Sequence, residues 1–415
     1  MMIVELRKIL TSWIIWALAI GTILLSMWAT TQNAHHIPQL QILTDMVAQY
    51  GAPITEESLA GWERLHQEKM TALNAELSEE FKTVAELRES LYETQTDIWN
   101  LLPEQMDLYW DARLVEDYLI RATAADEIYQ AIDLRSFGEN LIEQSRFQGN
   151  LPQIIRQNFA HHQENFQTMR EQGGHRYFFF NNDFHAMHNQ LFGRTLAVAT
   201  LGLSLVVALS SAFILNYEFD QRSFGLIYTT KKGRKLQWLK LGTALIATTL
   251  FTILIMVPVL AHYFMTYDYA GLWHIPLSSL FYASEGFFFL VPRYAMTFSH
   301  YLLAFMAVVY LTQLLFAALI FSVSNALRNG YLVPIAFFML AAFGIFYFHF
   351  VPASSLLYYL GFNPFRMMND VSRLFMIFSV SQTNPHYEVI TLVIWTAISI
   401  FSGIFTFWKF NKIDL

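Results

Sequence analysis

The sequence predicts an all-α membrane protein with six transmembrane helices and a helical domain outside the membrane. Three observations lead to this prediction. The chain is 54% hydrophobic and only 14% charged, whereas soluble domains carry about 25% charged residues. Its apolar residues gather in blocks of about twenty, the length of helix that crosses the hydrocarbon core. The long segment between the first two blocks is acidic instead, and its apolar residues recur at helical spacing.

Six apolar blocks contain no Asp, Glu, Lys or Arg, and we expect each to form one membrane-spanning helix. The first block follows Arg7 and Lys8, as the apolar part of a signal peptide would. It ends in Ser26-Met27-Trp28 without a small-x-small cleavage site, so we expect it to be retained as an anchor. The predicted spans are Trp13–Ala29, Thr195–Leu215, Leu241–Phe264, Tyr301–Val323, Tyr331–Val351 and Val389–Trp408.

The distribution of Lys and Arg predicts the orientation. With the amino terminus inside, the inner segments hold eleven of these residues and the two short outer loops hold three. Positively charged residues favour the cytoplasmic side of a membrane. We therefore expect a multi-pass protein of the plasma membrane with both termini in the cytoplasm.

The segment His35–Gly193 is then external. It holds 25 acidic and 11 basic residues, which gives it a charge of −14, whereas the whole chain carries −7. Thr55 predicts a helix start, the near-heptad spacing from Met70 to Leu91 predicts one long helix, and further helices are expected near Glu104–Gln148 and over Leu151–Glu171.

The predicted organisation has three parts. Residues 1–31 form an amphipathic start and the first span, 32–193 form the helical domain, and 194–415 form the remaining five spans. Within the third part lie a cytoplasmic loop, 216–240, and two outer segments, 271–299 and 352–382. The outer segments are too apolar and aromatic for free loops, which predicts interfacial or re-entrant helices.

Catalytic motifs are absent from the sequence. It has no Walker A motif, no dinucleotide-binding glycine pattern, no H-E-x-x-H and no G-x-S-x-G. It also has no cysteine, which excludes disulfides and thiolate ligands. The pair His185 and His188 beside Asp183, and the doublets at 35–36 and 161–162, offer incomplete ligand sets. We expect solvated or interfacial histidines there, with a metal site as the alternative.

The spans carry no formal charge, which argues against an ion-driven carrier and suits a protein that receives its energy from a partner. The alternative is that these helices only pack. The loop 216–240 has an order that a simple solvated positive loop does not explain. Glu218, Asp220 and Arg222 precede Gly225, and a basic turn leads to Lys240 at a helix start. This order predicts a short surface helix that offers both charge signs to a soluble partner.

This loop resembles the coupling-helix region of type-2 ABC exporter permeases. Glu218 or Asp220, Gly225, Arg234 and Lys240 stand at matching positions, and the run from Thr229 to Arg234 is similar to Gram-positive variants. Leu226 replaces a common Thr, and a Lys replaces the turn proline. The layout agrees too, because Met2–Thr11 resembles the family's elbow helix and both termini are inside.

The resemblance implies a bacterial permease subunit that exports an amphipathic or hydrophobic substrate such as a peptide, an antibiotic or a lipid-like molecule. Its partners would be a cytoplasmic ABC ATPase dimer, a second permease chain (identical or different) and membrane lipids, with no nucleic acid. The chain itself would be no enzyme and would hold no cofactor, because ATP and Mg²⁺ sit on the ATPase. The expected ATPase-coupling surface is Glu5, Lys8, Glu218, Asp220, Arg222, Gly225, Lys231, Lys232, Gly233, Arg234, Lys235 and Lys240.

Two alternatives stay open. The same subunits could form a sensor or mechanotransmission complex, in which the acidic domain attracts a cationic antimicrobial peptide. The chain could instead be a membrane receptor or scaffold without any ATPase. The main co-purifying partner distinguishes these functions from export.

Overall fold

The computed structural model describes residues 2–32, 36–77, 79–93, 101–178, 188–228, 233, 235–280 and 291–412. This part of the chain is largely helical, as predicted. Apart from two isolated bridges, its extended structure is one antiparallel ladder of two-residue strands, β1 (Val291–Pro292) and β2 (Met376–Ile377).

All six predicted spans are helices, and within the described residues six helices are long and apolar enough to cross a membrane. Five of them extend beyond the apolar block, because the helix continues into polar residues. The fifth is shorter than predicted and ends in a 3-10 turn, Tyr347–His349. The helices are α2 (Trp13–Thr31), α9 (Leu196–Asp220, preceded by a π-helical turn at Asn189–Thr195), α11 (Leu236–Thr266), α12 (Phe298–Leu327), α13 (Leu332–Phe346) and α16 (Tyr387–Asn411).

Helices α9 and α12 lie at the centre of this bundle. Helix α9 packs against α2, α11 and α12, and α12 packs against α16. Polar side chains also bridge the helices, which suits a setting where lipid supplies no hydrophobic force for helix association. These bridges are Gln313 to Ser204 at 3.0 Å, Thr249 to Tyr310 at 2.9 Å and Ser322 to Ser402 at 2.9 Å.

A short helix, α1 (Met2–Leu10), precedes the bundle and packs against the start of α11 and the end of α9. Its first turn has an exposure pattern that is the reverse of that in a soluble helix. Ile3 and Val4 are 82% and 60% exposed, whereas Glu5 is buried. An exposed apolar face suits a helix that lies in a membrane interface. The end of the bundle that holds α1 is called the terminal face below, and the opposite end is called the domain face.

The helical domain lies between α2 and α9. Thr55 caps its second helix as predicted, and its hydroxyl accepts from the Ser58 N–H at 3.1 Å. The predicted helix Leu151–Glu171 is also confirmed, with Phe159 and Phe166 buried. The helices are α3 (His36–Tyr50), α4 (Glu56–Ala75), α5 (Val84–Glu93), α6 (Pro103–Ala131), α7 (Leu134–Ser145) and α8 (Leu151–Glu171).

The prediction of one long helix from Met70 to Leu91 is wrong, because α4 ends at Ala75 and α5 starts at Val84. The side chain of Asn74 pairs with both the N–H and the C=O of Phe81, at 3.1 and 2.8 Å, and closes a turn. The carboxylate of Glu116 then accepts from the Val84 N–H at 2.6 Å and caps the new helix.

The stretch Glu104–Gln148 forms two helices, α6 and α7, rather than one. The break falls at Asp133, whose carboxylate accepts from the Arg135 N–H at 2.9 Å. An Asp side chain that accepts a hydrogen bond from the backbone N–H two residues later favours the start of a new helix over the continuation of the preceding one.

The two loop segments of the domain face fold against the helical domain. They hold short helices, α14 (Ser355–Leu360) and α15 (Pro364–Asn369), and the strands β1 and β2. Most of the apolar side chains from Phe362 to Ile377 are buried in the protein core. Residues 281–290, which belong to the predicted outer segment 271–299, lie outside the described residues.

The helical domain is fastened to these segments by hydrogen bonds from several helices. Tyr129 donates to the Ser278 carbonyl at 2.7 Å, and Nε2 of His162 lies 2.6 Å from the Thr383 carbonyl. The backbone N–H of Gln148 donates to the Ala353 carbonyl at 2.8 Å. A single hydrophobic core therefore continues from the bundle into the domain, and a smaller second core fills the far tip.

Candidate functional site

A buried cluster of charges joins three helices at the terminal face. Glu218, near the end of α9, accepts from Lys8 of α1 at 2.9 Å, and its other oxygen pairs with Lys240 of α11. Lys8 also contacts Glu5 at 2.8 Å. Glu218 is 2% exposed and Lys240 is fully buried. Buried charges are stable only when they are paired, so this geometry holds α1, α9 and α11 together.

Neutral groups complete the cluster. A short helix, α10 (Phe224–Tyr228), follows α9, and the Tyr228 hydroxyl lies 3.4 Å from Glu218. Gln237 of α11 donates to the same hydroxyl at 2.9 Å. Burial, together with the nearby charge of Glu5, raises the pKa of the Tyr228 hydroxyl, so it keeps its proton and donates to the carboxylate. Lys8 also lies 4.4 Å from the centre of the Tyr217 ring.

Aromatic packing holds α10 beneath the end of α9. Phe219 stacks on Phe224 and on Tyr228, with ring centres 5.5 and 5.3 Å apart. Phe410, at the end of α16, meets the Tyr228 ring edge-on at 5.4 Å. Such pairs stabilise by about 1 kcal/mol each beyond their buried area. Helix α10 is therefore fixed to α9, α11 and α16.

The opposite side of α10 faces outward. Leu226 is 80% exposed, and Arg222 and Gly225 are exposed beside it. Arg222 has a left-handed backbone, with φ of 54°, which turns the chain from α9 into α10. A Cβ placed on Gly225 would meet no atom within 4 Å. The outward side of α10 thus combines an apolar side chain, a cation and open space for a neighbour.

Asp220 makes a separate link on the same face. Its carboxylate accepts from the N–H of Gly330 at 2.9 Å, in the turn between α12 and α13. That turn begins at Arg328, whose left-handed φ of 54° ends α12. The end of α9 is thereby tied to the second loop of the terminal face.

The predicted coupling residues fall into four groups. Glu5, Lys8, Glu218 and Lys240 meet in the buried cluster. A buried side chain cannot touch a soluble partner, so Glu218 and Lys240 act inside the chain in this structure. Asp220, Arg222, Gly225 and Lys235 are exposed, Gly233 is buried, and Lys231, Lys232 and Arg234 lie outside the described residues.

Several residues of this face were not anticipated from the sequence. Tyr228 and Gln237 complete the charge cluster, and the Gly330 N–H donates to Asp220. No motif marks them, because their roles arise from contacts between separate helices. Leu226 was noted only as a departure from a family pattern, although an exposed Leu in a charged loop is itself a signal for a contact surface.

A second buried ion pair lies at the domain face. Arg293, beside β1, pairs with Glu388 in the first turn of α16, and both residues are 1% exposed. Arg293 also donates to the Asn384 carbonyl at 2.7 Å, and Glu388 accepts from the Phe375 N–H at 2.7 Å. Arg293 is one of the three basic residues of the two short outer loops, and no sequence motif marks it. In the structure it ties both loop segments to the start of α16.

The histidines do not form a metal site in the described part of the chain, where no three metal-ligating side chains converge. His188 lies 3.2 Å from the Ser372 carbonyl, and His161 lies 3.2 Å from the Asn165 amide. His35, Asp183 and His185 lie outside the described residues.

No family model, curated protein or solved structure matches this chain. Fold and site together define a helical protein with six candidate membrane spans and a helical domain between the first two. At the opposite end of the bundle, a short helix packs against a buried cluster of charges.

Proposed function

We propose that this chain is the membrane-spanning permease subunit of a bacterial ATP-binding cassette exporter, in which α10 is the coupling helix. One observation supports this most. Helix α10 exposes Leu226 on one side, next to the exposed Arg222 of the preceding turn. On its other side it is held to α1, α9 and α11 through Glu218. A partner that displaces α10 must therefore move three helices with it.

The ATPase dimer binds ATP and Mg²⁺ and supplies the energy in this proposal. Its contact residues on the permease are the exposed ones: Asp220, Arg222, Gly225, Leu226 and Lys235. Glu5, Glu218 and Lys240, which are buried, and Lys8, which is partly buried, transmit the movement. This division revises the single contact surface expected from the sequence.

Export then follows from rocking of the bundle. A second permease chain, identical or different, completes the pathway, and an amphipathic or hydrophobic substrate leaves on the side of the acidic domain. The largely apolar spans suit such a substrate better than an ion, since ionisable groups in the membrane interior usually mark ion paths.

The experiment co-expresses the tagged chain with the ATPase of the neighbouring reading frame and measures co-purification and substrate-stimulated ATPase activity in proteoliposomes. Leu226→Glu places a charge on the contact surface and should lower ATPase recovery at least tenfold. Tyr331→Glu is the matched control, because Tyr331 is also 80% exposed and follows Gly330 on the same face. Equal recovery of ATPase by both variants argues against α10 as the coupling helix.

The same experiment distinguishes the alternatives. A chain that purifies without any Walker-motif partner is a receptor or scaffold rather than a permease. A chain that purifies with the ATPase but moves no substrate fits a sensor or mechanotransmission complex.

The charge of −14 on the helical domain favours a cationic antimicrobial peptide as the ligand of such a sensor. Its binding should weaken strongly as salt rises from 50 to 500 mM, since screening shortens the reach of exposed charges. Binding that ignores salt contradicts this alternative.

A further inference from the structure

A cleft opens at the junction of the helical domain and the bundle. It lies between α8, the segment around α14, and the first half of α16, and its volume is about 600 Å³. This size is in the range of sites that hold small ligands. Its position matters because α16 is a candidate membrane span that begins at Tyr387. The cleft therefore runs from the edge of that span towards the membrane interior.

One wall of the cleft is an apolar stripe on α16. Ile390, Ile394 and Ile398 line it at four-residue spacing, so they lie on one side of the helix over about 12 Å. Ile394 and Ile398 are each 43% exposed in the chain. Trp395 lies beside them, and its indole N–H is already bonded to the Phe362 carbonyl at 2.8 Å. A ligand along this wall would make apolar contacts only, because the Trp395 N–H is already hydrogen-bonded.

The other end of the cleft is polar but uncharged. Asn158 of α8, Tyr358 of α14 and Asn384, which precedes α16, meet there. The Tyr358 hydroxyl accepts from Asn384 at 2.9 Å and from Asn158 at 3.4 Å. The hydroxyl oxygen thus already accepts two hydrogen bonds, whereas no described group accepts the hydroxyl proton. Tyr358 is only 4% exposed. A buried hydroxyl normally donates its proton to a hydrogen-bond acceptor, so an atom of a ligand is the natural acceptor here.

Asn158 supplies the complementary group. Its amide nitrogen donates to the Thr383 hydroxyl at 3.0 Å as well as to Tyr358. Its carbonyl oxygen receives no hydrogen bond from the described residues. The polar end therefore presents one donor and one acceptor close together. Hydroxyl groups, which both donate and accept, match this pair.

We propose that this cleft binds one amphiphile from the leaflet nearest the helical domain, with an acyl chain along the α16 stripe and an uncharged, hydroxyl-bearing head at Tyr358 and Asn158. A glycosyl head attached directly to a diacylglycerol has this chemistry, because it carries hydroxyl groups and no charge. A phosphate head does not, because no Lys, Arg or His among the described residues lines the cleft and anions are bound best by charged donors. This site requires neither ATP nor a partner chain, so it goes beyond the export function.

The test uses the full chain, purified in detergent and examined by native mass spectrometry. Each sample receives monoglucosyl-diacylglycerol or phosphatidylglycerol with the same acyl chains. We expect one glucosyl lipid to stay bound, with at least tenfold preference over phosphatidylglycerol. Ile394→Trp fills the apolar wall and should lower glucosyl-lipid retention at least tenfold. Tyr358→Phe removes the free proton donor and should abolish the preference between the two lipids.

Ile404→Trp is the matched control, because Ile404 lies on the same helix, is 54% exposed and does not line the cleft. Its lipid retention should equal that of the unchanged chain. Unfolding temperatures of all variants are compared. If Ile394→Trp fails to fold, Tyr358→Phe still tests the proposal, because it removes only one hydroxyl group. The proposal is overturned if phosphatidylglycerol binds as tightly as the glucosyl lipid, or if both tryptophan variants retain lipid equally. An absent ATPase partner leaves these outcomes unchanged.

Discussion

Glu218 is the residue at which the helices of the terminal face meet. One of its oxygens holds Lys8, which lies 210 positions earlier in the chain, and the other holds Lys240. The two cations are not equivalent, because Lys240 is fully buried while the Lys8 side chain is 19% exposed. Loss of Glu218 leaves Lys240 buried without a carboxylate. Loss of Lys240 leaves Glu218 with a partner.

This asymmetry predicts different costs for two substitutions. Glu218→Gln should lower the free energy of unfolding by about 3 kcal/mol or more, the usual cost of breaking a buried ion pair. Lys240→Met should cost clearly less, because Lys8 still neutralises Glu218. Thermal unfolding of the purified chain measures both, and the double variant should be more stable than Glu218→Gln alone. Equal losses for the two single variants would contradict the assigned roles.

His162 gives the docking of the helical domain a pH dependence. Its Nε2 donates to the Thr383 carbonyl, and its Nδ1 is buried with no partner among the described residues. Burial therefore lowers the pKa of His162 to about 4, although the Thr383 hydrogen bond opposes this. Below the unfolded pKa of 6.5 the unfolded chain takes up a proton that the folded chain does not, so stability falls as pH falls.

At pH 5 this difference amounts to about 2 kcal/mol relative to pH 7, from 1.36 kcal/mol per pKa unit. His162→Gln keeps a donor for Thr383 and removes the titration, so its unfolding midpoint should fall less between pH 7 and pH 5. His161→Gln, at the exposed neighbouring position, should behave as the unchanged chain. A pH dependence that survives in His162→Gln assigns the effect to another group.

At the scale of elements, the close approach of α2 and α9 depends on a missing side chain. A Cβ on Gly202 of α9 would lie 2.3 to 2.8 Å from three atoms of Thr22 on α2. Small residues allow membrane helices to approach in this way. Gly21, the neighbour of Thr22, has nothing within 4 Å of an added Cβ. The two glycines therefore differ in packing although both lie in candidate spans.

We expect Gly202→Ala to cost about 1 to 3 kcal/mol, since overpacking forces a tight helix pair apart. Gly21→Ala should be neutral or slightly stabilising, because alanine is the better helix former. Unfolding temperatures in detergent compare the two directly. If Gly202→Ala lowers the unfolding temperature no more than Gly21→Ala does, the contact with Thr22 relaxes at no cost and the prediction is wrong.

At the scale of the whole molecule, the helical domain and α10 lie at opposite ends of the bundle. The domain contacts the loops at Ser278, Ala353 and Thr383, whereas α10 contacts the start of α11 and the end of α16. If the six helices span a membrane, the two ends face different compartments. The positive residues beside α10 then predict that this end is cytoplasmic.

The absence of cysteine makes this topology directly measurable. Tyr92→Cys, at an 85% exposed site in the helical domain, should react with a membrane-impermeant maleimide in intact cells. Tyr331→Cys, at the 80% exposed site on the terminal face, should react only after permeabilisation. The unchanged chain serves as the blank. Labelling of Tyr331→Cys in intact cells would show that the orientation is the opposite of the one predicted.

Local signals in the sequence were sufficient for the elements. Apolar runs of membrane length located all six candidate spans, and the cap at Thr55 and the periodicity of Leu151–Glu171 located helices of the domain. They failed between Met70 and Leu91, because the residue that caps α5 is Glu116, more than thirty positions away. A heptad pattern carries no information about such a distant carboxylate.

The sequence by itself therefore determined the number of candidate spans, the helical nature of the acidic domain and the loop that holds the candidate site, since these depend on neighbouring residues. Only the tertiary structure decided which charges of that loop are buried and which are exposed. It also decided that Arg293 meets Glu388, and that Tyr358 faces a cleft along α16. The physical reason is that burial and ion pairing depend on the packing of helices that are far apart in the chain.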